Sequence, residues 1–150
     1  MTALTLIETG GTICMQPGPD GLRPGAGRVV QAIATLRPDL AVQAQALDPL
    51  VDSAEVGPAL WNDLLDRIEA APGPVLITHG TDTLAYTGAA LSAALAGLGR
   101  VVILCGSMHP LGAGGDAEAN PALALPALGD AGPGEARVGG RLAAAGAVVA

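Results

Sequence analysis

"LIETGGTICM" (Leu6–Met15) joins the end of an apolar run to two glycines set between threonines. The apolar residues Ala3–Ile7 predict a short buried strand. The two glycines of the TGGT segment (Thr9–Thr12) permit backbone conformations that other residues avoid, and they allow the backbone to approach a ligand closely. The flanking threonines add hydroxyl groups that could cap, bind or attack. This stretch therefore predicts a buried strand that ends in a tightly turned polar loop.

The change from an apolar run to a polar or glycine-containing loop recurs along the chain. Further strands are predicted at Leu40–Leu47, Pro74–Thr78 and Val101–Cys105, and one more within Leu142–Val149. The Pro/Gly-rich segment 15–27 is predicted to be an ordered hairpin or a mobile lid, and segment 129–140 to form turns. Helical spacing predicts helices with these apolar positions: Val29, Ile33 and Leu36; Trp61, Leu64, Leu65 and Ile68; Leu84, Leu91, Leu95 and Leu98; a further helix is expected over Asp116–Leu128.

Apolar strands that alternate with helices are typical of a parallel sheet covered on both faces. We therefore predict a single α/β domain over residues 1–150, with three layers and a mainly parallel sheet flanked by helices, of the flavodoxin-like type. The core should be aliphatic, because the chain has no Phe, one Trp and one Tyr.

Composition restricts the partners. The net charge is −7 and the seven basic residues, all Arg, form no cluster, which argues against nucleic-acid binding. The N-terminus lacks the pattern of a signal peptide, and the uncharged stretch 83–99 suits a buried helix better than a membrane span. We expect a cytoplasmic protein with no membrane contact. Cys14 and Cys105 are expected to be buried thiols, and no metal site or cofactor is predicted.

In parallel sheets, ligands bind beyond the carboxyl ends of the strands. The segments that follow the predicted strands are TGGT, Asp52-Ser53, HGTDT (His79–Thr83) and GSMHP (Gly106–Pro110). Each could have an ordinary structural role, since Ser, Thr and Asp often cap helices and stabilise turns. Their convergence on one edge of the sheet nevertheless predicts a site.

The residue types at this edge suit an amino-acid substrate. Thr12 offers a nucleophilic hydroxyl, and the backbone N–H groups of Gly11 and Thr12 could stabilise an oxyanion. Thr81 and Asp82 lie where a helix is expected to begin, and the carboxylate could bind an ammonium group. Ser53 with neighbouring amides could bind a carboxylate.

Three other interpretations of the sequence are weaker. Gly112–Ala117 matches a dinucleotide-binding pattern, but it lies several residues after its strand and lacks the expected acidic partner. A phosphate-binding P-loop needs a lysine, and the chain has none. His79 and His109 are too isolated to indicate a metal site, and His79 is expected to be a hydrogen-bonded structural residue.

The segments ETGGTI, DSAEV, ITHGTDTLAYTGAALS and VVILCGSMHP with GDAEAN resemble, in order, the bacterial-type L-asparaginase family over roughly residues 4 to 120. The chain resembles the catalytic N-terminal domain alone, as in a short-chain form without the family's C-terminal domain. The resemblance implies cofactor-free hydrolysis of L-asparagine through a β-acyl-enzyme intermediate. It also implies a homo-oligomer, a dimer or tetramer.

Carried over residue by residue, the resemblance implies that Thr12 is the nucleophile, Thr81 a second catalytic threonine and Asp82 the ligand of the substrate α-amino group. Ser53 would bind the substrate carboxylate and Gly11 would supply an oxyanion N–H. Asp52, next to Ser53, and Ser107, in the loop after the predicted strand Val101–Cys105, complete the predicted substrate-binding set.

Two elements of the family are absent from these 150 residues. The loop from Cys14 to Gly27 has no tyrosine, and Tyr86 lies in a predicted helix instead. The family lysine would follow the segment Gly140–Leu142, at or near Ala150, where no lysine stands. The rival hypothesis is therefore a non-catalytic asparagine- or aspartate-binding module on the same fold; a nucleotide-binding α/β domain is a weaker third.

Overall fold

The computed structural model describes residues 3–129 and 147–149, in which helices cover both faces of a central sheet. The strands are β1 (Leu4–Gly10), β2 (Met15–Gly18), β3 (Gly21–Pro24), β4 (Val42–Val51), β5 (Val75–Thr78), β6 (Val102–Cys105) and β7 (Ala147–Val149). The helices are α1 (Arg28–Leu36), α2 (Pro58–Ala70), α3 (Leu84–Ala94) and α4 (Asp116–Gly129).

The sheet has the strand order β4-β1-β5-β6-β7. β1 runs parallel to β4 and β5, and β5 runs parallel to β6, whereas β7 is antiparallel to β6. The prediction of a mainly parallel, three-layer α/β fold is confirmed. Because the chain goes from β1 to β4 on one side and returns to β5 on the other, a crevice is expected at the carboxyl end of β1.

Alternate residues of the buried strands pack into two separate hydrophobic cores, one on each face of the sheet. Leu76 packs with α1 and α4 on one face, while Val75 and Ile77 pack with α2 and α3 on the other. This alternation follows from the two-residue period of a strand. Strands that are apolar on both faces therefore read as continuous runs, which is why β5 and β6 were recognisable in the sequence.

β1 is longer than predicted, because its polar residues have partners inside the protein. Glu8, 2% exposed, accepts hydrogen bonds from the backbone N–H groups of Gly27 (2.7 Å) and Val29 (3.3 Å) at the start of α1. Thr9 donates to the carbonyl of Thr78 on β5 (2.6 Å). A carboxylate at a helix N-terminus is favoured by the orphan N–H groups there. The prediction that the strand ends at Ile7 is therefore wrong.

Other boundaries also differ from the predictions. Segment 15–27 contains an antiparallel hairpin, β2–β3, the ordered one of the two predicted forms. β4 covers 42–51 rather than 40–47. α3 ends at Ala94, so Leu98 is not on its buried face and is 56% exposed. Gly129, predicted to begin a turn, is the last residue of α4, and the remaining predicted turns at 130–140 and residues 142–146 of the predicted strand lie outside the described residues.

The predicted apolar faces of α1 and α2 are narrower than expected. Val29 and Ile33 of α1 are buried, but Leu36 is 43% exposed at its end. On α2, Leu64 and Ile68 are fully buried, whereas Trp61 and Leu65 are only partly covered.

The cysteines are free and buried, as predicted, and burial raises the pKa of Cys14 to about 11 and that of Cys105 to about 12. Over the described residues no helix meets the length and hydropathy needed to cross a membrane.

Two threonines of β1 form a matched pair for a stability test. Both are 1% exposed, but the hydroxyl of Thr5 has no hydrogen-bond partner among the described residues, whereas the hydroxyl of Thr9 donates to the carbonyl of Thr78. Thr5→Val removes an unpaired buried hydroxyl and should raise the free energy of unfolding by about 1 kcal/mol. Thr9→Val should lower it by about 1 kcal/mol because a made hydrogen bond is lost. Urea denaturation measures both; equal effects of the same sign would refute this account.

Candidate active site

A cavity of about 350 Å³ opens at the carboxyl end of β1, where the strand order reverses. Its walls come from the loops after β1, β4 and β5 and from the β2–β3 hairpin. The lining residues are Gly10, Gly11, Thr12, Met15, Pro24, Leu50, Val51, Asp52, Ser53, Glu55, Thr81 and Asp82. Three of the four segments predicted to converge at this edge therefore do so.

Glycine allows these loops to touch. Gly11 has φ +81°, and a Cβ at this position would lie 2.5 Å from the backbone nitrogen of Gly80. A Cβ on Gly80 would in turn lie 2.5 Å from the Oγ of Ser53. Backbone atoms of the β1 and β5 loops therefore pack directly on one another and on the β4 loop. This close packing sets the distance between the polar groups of the cavity.

The two threonines expected to act in catalysis come from neighbouring loops of the cavity. Thr12 begins a 3-10 turn (Thr12–Cys14) immediately after the sharp bend at Gly11. Thr81 follows Gly80 at the end of β5 and precedes α3. Both line the cavity, and within the described part no side-chain hydrogen bond occupies either hydroxyl. The two hydroxyls are thus available to a ligand.

The helix-cap alternative for Thr81 and Asp82 is not observed. The N-cap residue of α3 is Thr83, whose hydroxyl donates to the carbonyl of Ser53 (2.7 Å) rather than to the helix. That bond ties the start of α3 to the β4 loop. Asp82 is left exposed at the cavity.

Asp52 plays the capping role that was considered for Ser53. Its carboxylate accepts the backbone N–H of Ala54 (2.8 Å), which begins a short 3-10 turn over Ser53–Glu55. Ser53 itself is 4% exposed and lines the cavity. Asp52 therefore shapes the loop that presents Ser53.

Sequence reasoning missed Glu55. This residue adds a third carboxylate to the cavity lining beside Asp52 and Asp82, and none of the lining residues among those described is basic. Its position three residues after Asp52, in the same turn, was the available signal. An acidic lining favours a ligand that carries a positive group such as an ammonium.

Ser107, predicted to bind substrate, does not line this cavity. It follows β6, which lies beyond β5 on the side away from β1. Its hydroxyl donates to the carbonyl of His109 (2.6 Å), and it is 1% exposed. Tyr86, the lone tyrosine, is also outside the cavity lining and 71% exposed on α3. The segment Gly140–Leu142 lies outside the described residues.

His79 is a buried structural residue, as predicted. Its Nδ1 lies 2.7 Å from the carbonyl oxygen of Gly80 and its Nε2 lies 2.9 Å from the hydroxyl of Thr87. Burial lowers the pKa of His79 below its ordinary value of 6.5. The ring is therefore neutral at physiological pH.

No group of three or more His, Cys, Asp or Glu residues that could hold a metal occurs between residues 3 and 129 or at 147–149.

The lowered pKa of His79 predicts a pH dependence of stability. Below pH 6.5 His79 takes up a proton more readily in the unfolded chain than in the folded chain. The contribution of His79 to the free energy of unfolding is therefore fully present above pH 6.5 and is lost as the pH falls through the pKa of the folded state. Urea denaturation between pH 7.5 and about 5 measures this slope. His79→Asn should flatten this slope, because asparagine does not titrate in this pH range. A slope that persists in His79→Asn would contradict the assignment.

Residues 3–145 match the model of the family described as "Asparaginase, N-terminal". The chain is 37% identical to L-asparaginase 1 of Escherichia coli K12 over 119 residues, which are 73% of this chain and 35% of that protein. It is 39% identical to a probable L-asparaginase of Deinococcus radiodurans over 110 residues, 71% of this chain and 33% of that protein.

The fold is shared with solved structures. L-asparaginase I from Vibrio cholerae superposes with a TM-score of 0.70 at 34% identity, covering 85% of this chain and 40% of that one.

A glutamyl-tRNA(Gln) amidotransferase component from Aeropyrum pernix is also similar in sequence, 33% identical over 113 residues, 69% of this chain and 26% of that one. This chain thus spans about a third of the length of the L-asparaginases that it matches.

The family match extends over nearly the whole chain and includes every loop that lines the cavity. The chain belongs to the asparaginase family and corresponds to its N-terminal domain.

Proposed function

We propose that this chain hydrolyses L-asparagine to L-aspartate and ammonia in the cavity at the end of β1. The observation that carries the proposal is the meeting of Gly11, Thr12, Ser53, Thr81 and Asp82, from three separate loops, around one cavity in a chain of the asparaginase family. These are the residue types that an amide hydrolase with a hydroxyl nucleophile needs.

In the proposed reaction the Oγ of Thr12 attacks the side-chain amide carbon of asparagine. The C–O bond forms, the hydroxyl proton passes to the amide nitrogen, and ammonia leaves as the C–N bond breaks. Water then attacks the β-aspartyl ester, which releases aspartate and restores the hydroxyl. The backbone N–H of Gly11 stabilises the oxyanion in both steps, since donors fixed in advance act most strongly on a developing charge.

The other cavity residues would hold the substrate. The carboxylate of Asp82 binds the α-ammonium group, and Ser53 binds the α-carboxylate. Thr81 is proposed as the second catalytic threonine, which assists the proton transfer. Asp52 acts through the turn that it caps, and Ser107 has no part in the proposal because it lies outside the cavity.

The 150 residues contain no lysine that could assist Thr81. Loss of one acid–base partner typically costs about 10²–10⁴ in rate, and the nucleophile and oxyanion donors sustain the remainder. We therefore expect slow but measurable turnover when these 150 residues are assayed alone. We also propose that it acts as a dimer or tetramer, which sedimentation equilibrium would test.

Two measurements on the same preparation test the proposed function. Ammonia release from L-asparagine is followed enzymatically, and the melting temperature is recorded with and without L-asparagine, with L-leucine as the control ligand. Release of ammonia together with a higher melting temperature supports the enzyme. A higher melting temperature without ammonia would identify the binding module instead, and neither effect would overturn both.

A further inference from the structure

A chain of hydrogen bonds runs through the protein directly behind the cavity wall. The indole Nε1 of Trp61 on α2 lies 3.0 Å from the hydroxyl of Thr87 on α3. The same hydroxyl lies 2.9 Å from Nε2 of His79, whose Nδ1 lies 2.7 Å from the carbonyl oxygen of Gly80. His79 and Thr87 are fully buried. The chain therefore links two helices to the loop that carries Thr81.

The donors and acceptors of this chain allow one arrangement with a neutral ring. A carbonyl oxygen can only accept, so Nδ1 of His79 carries the hydrogen and donates to Gly80. Nε2 is then an acceptor and takes the hydroxyl hydrogen of Thr87. The indole N–H can only donate, so Trp61 donates to the oxygen of Thr87. Every polar atom of the three side chains thus has a hydrogen-bond partner, and each of the three hydrogen bonds has a defined donor and acceptor.

The carbonyl of Gly80 belongs to the same planar unit as the N–H of Thr81. Fixing the direction of that carbonyl therefore fixes the start of Thr81, which lines the cavity. Gly80 also packs on the backbone of Gly11 and on the side chain of Ser53, where a Cβ at Gly80 would lie 2.5 Å from Ser53 Oγ. A rotation of this one peptide would thus disturb all three loops of the cavity.

We propose that the chain Trp61–Thr87–His79 is a positioning device that orients the Gly80–Thr81 peptide and, through it, the hydroxyl of Thr81 toward the substrate. The inference rests on the proposed function for its effect on rate. The three side chains are positioning residues, because none of them lines the cavity. If the three side chains only stabilised the fold, substituting them would leave the geometry at Thr81 unchanged.

The test compares Thr87→Val with Thr87→Ser. Valine keeps the volume and removes the hydroxyl, whereas serine keeps the hydroxyl. Thr87→Val should lower kcat for L-asparagine by about 10–100-fold, since small displacements of catalytic groups have effects of this size. KM should change by less than about threefold, and Thr87→Ser should restore most of kcat. Equal kcat values in the two variants would overturn the proposal.

A second readout separates this proposal from the proposed function. In ¹H–¹⁵N spectra the amide signals of Gly11 and Thr81 should move in Thr87→Val and stay in place in Thr87→Ser. The ¹⁵N shifts of the His79 ring should show hydrogen on Nδ1 in the parent protein. If the parent releases no ammonia, the proposed function fails while these shifts still decide the positioning. Unmoved amides in Thr87→Val, or hydrogen on Nε2, would overturn it.

The indole offers an independent variant if Thr87→Val does not fold. Trp61→Phe removes the N–H donor at the partly exposed end of the chain and leaves the hydroxyl of Thr87 in place. It should move the Thr81 amide in the same direction as Thr87→Val, by a smaller amount. A Thr81 amide that does not respond to Trp61→Phe would contradict the proposed coupling.

Discussion

Thr12→Ala should lower ammonia release from L-asparagine by about 10³-fold or more, because it removes the hydroxyl proposed to form the acyl-enzyme. Thr12 lies just after the bend at Gly11 and is only partly buried, so the substitution leaves no large cavity in the core. L-Asparagine should still raise the melting temperature of the variant, since Asp82 and Ser53 remain. Assays of release and thermal stability on one preparation measure both effects.

Thr12→Ser is the matched control, because it keeps the hydroxyl and removes only a methyl group. It should retain a measurable part of the activity that Thr12→Ala loses. Equal ammonia release by Thr12→Ala and the parent chain would exclude Thr12 as the nucleophile. Loss of asparagine binding in Thr12→Ala would instead assign this residue to substrate binding.

Gly11→Ala should lower the free energy of unfolding by about 2–5 kcal/mol. Gly11 has φ +81°, where a side chain is strained, and its new Cβ would lie 2.5 Å from the backbone nitrogen of Gly80. A backbone atom cannot rotate away as a side chain can, so the β1 and β5 loops would have to separate. Urea denaturation measures the loss of stability, and ammonia release should fall with it as the cavity opens.

Gly97→Ala separates strain from crowding. Gly97 has φ +80°, nearly the same as Gly11, but a Cβ there meets nothing within 4 Å. Its cost should be that of the backbone conformation alone, about 1–2 kcal/mol. A Gly11→Ala variant no less stable than Gly97→Ala would show that the contact with Gly80 does not hold the loops together.

The order of strands and helices was predictable, because two sequence patterns recur along the chain. Strands such as β5 are apolar on both faces, and helices such as α2 carry an apolar stripe at helical spacing. The end of β1 was not predictable from these rules. Glu8 and Thr9 look like loop residues until the groups that satisfy them, on α1 and β5, are known.

The position of the candidate site in the sheet was predictable, but the full set of residues that line the cavity was not. The rule that ligands bind at the carboxyl ends of parallel strands does not say which strands are neighbours. β6 proved to be separated from β1 by β5, which puts Ser107 outside the cavity. Glu55 enters because the turn after Asp52 brings it round to the same side.

The positioning chain left no local signal in the sequence. Trp61 and Thr87 are 26 residues apart, and Thr87 and His79 are eight apart across a strand end and a helix start. Trp61 was predicted to lie on the apolar face of its helix, and its indole N–H donates a hydrogen bond to Thr87. Contacts of this kind depend on how two helices pack, which periodicity does not determine.

Thr12 is proposed to carry the β-aspartyl group during turnover. The most direct measurement is acid quenching of the protein during reaction with L-asparagine, followed by mass spectrometry of its peptides. We expect one aspartyl group, held as an ester, on the peptide that contains Thr12, and none in Thr12→Ala. An adduct on the peptide that contains Thr81, or ammonia release with no adduct under single-turnover conditions, would contradict the account.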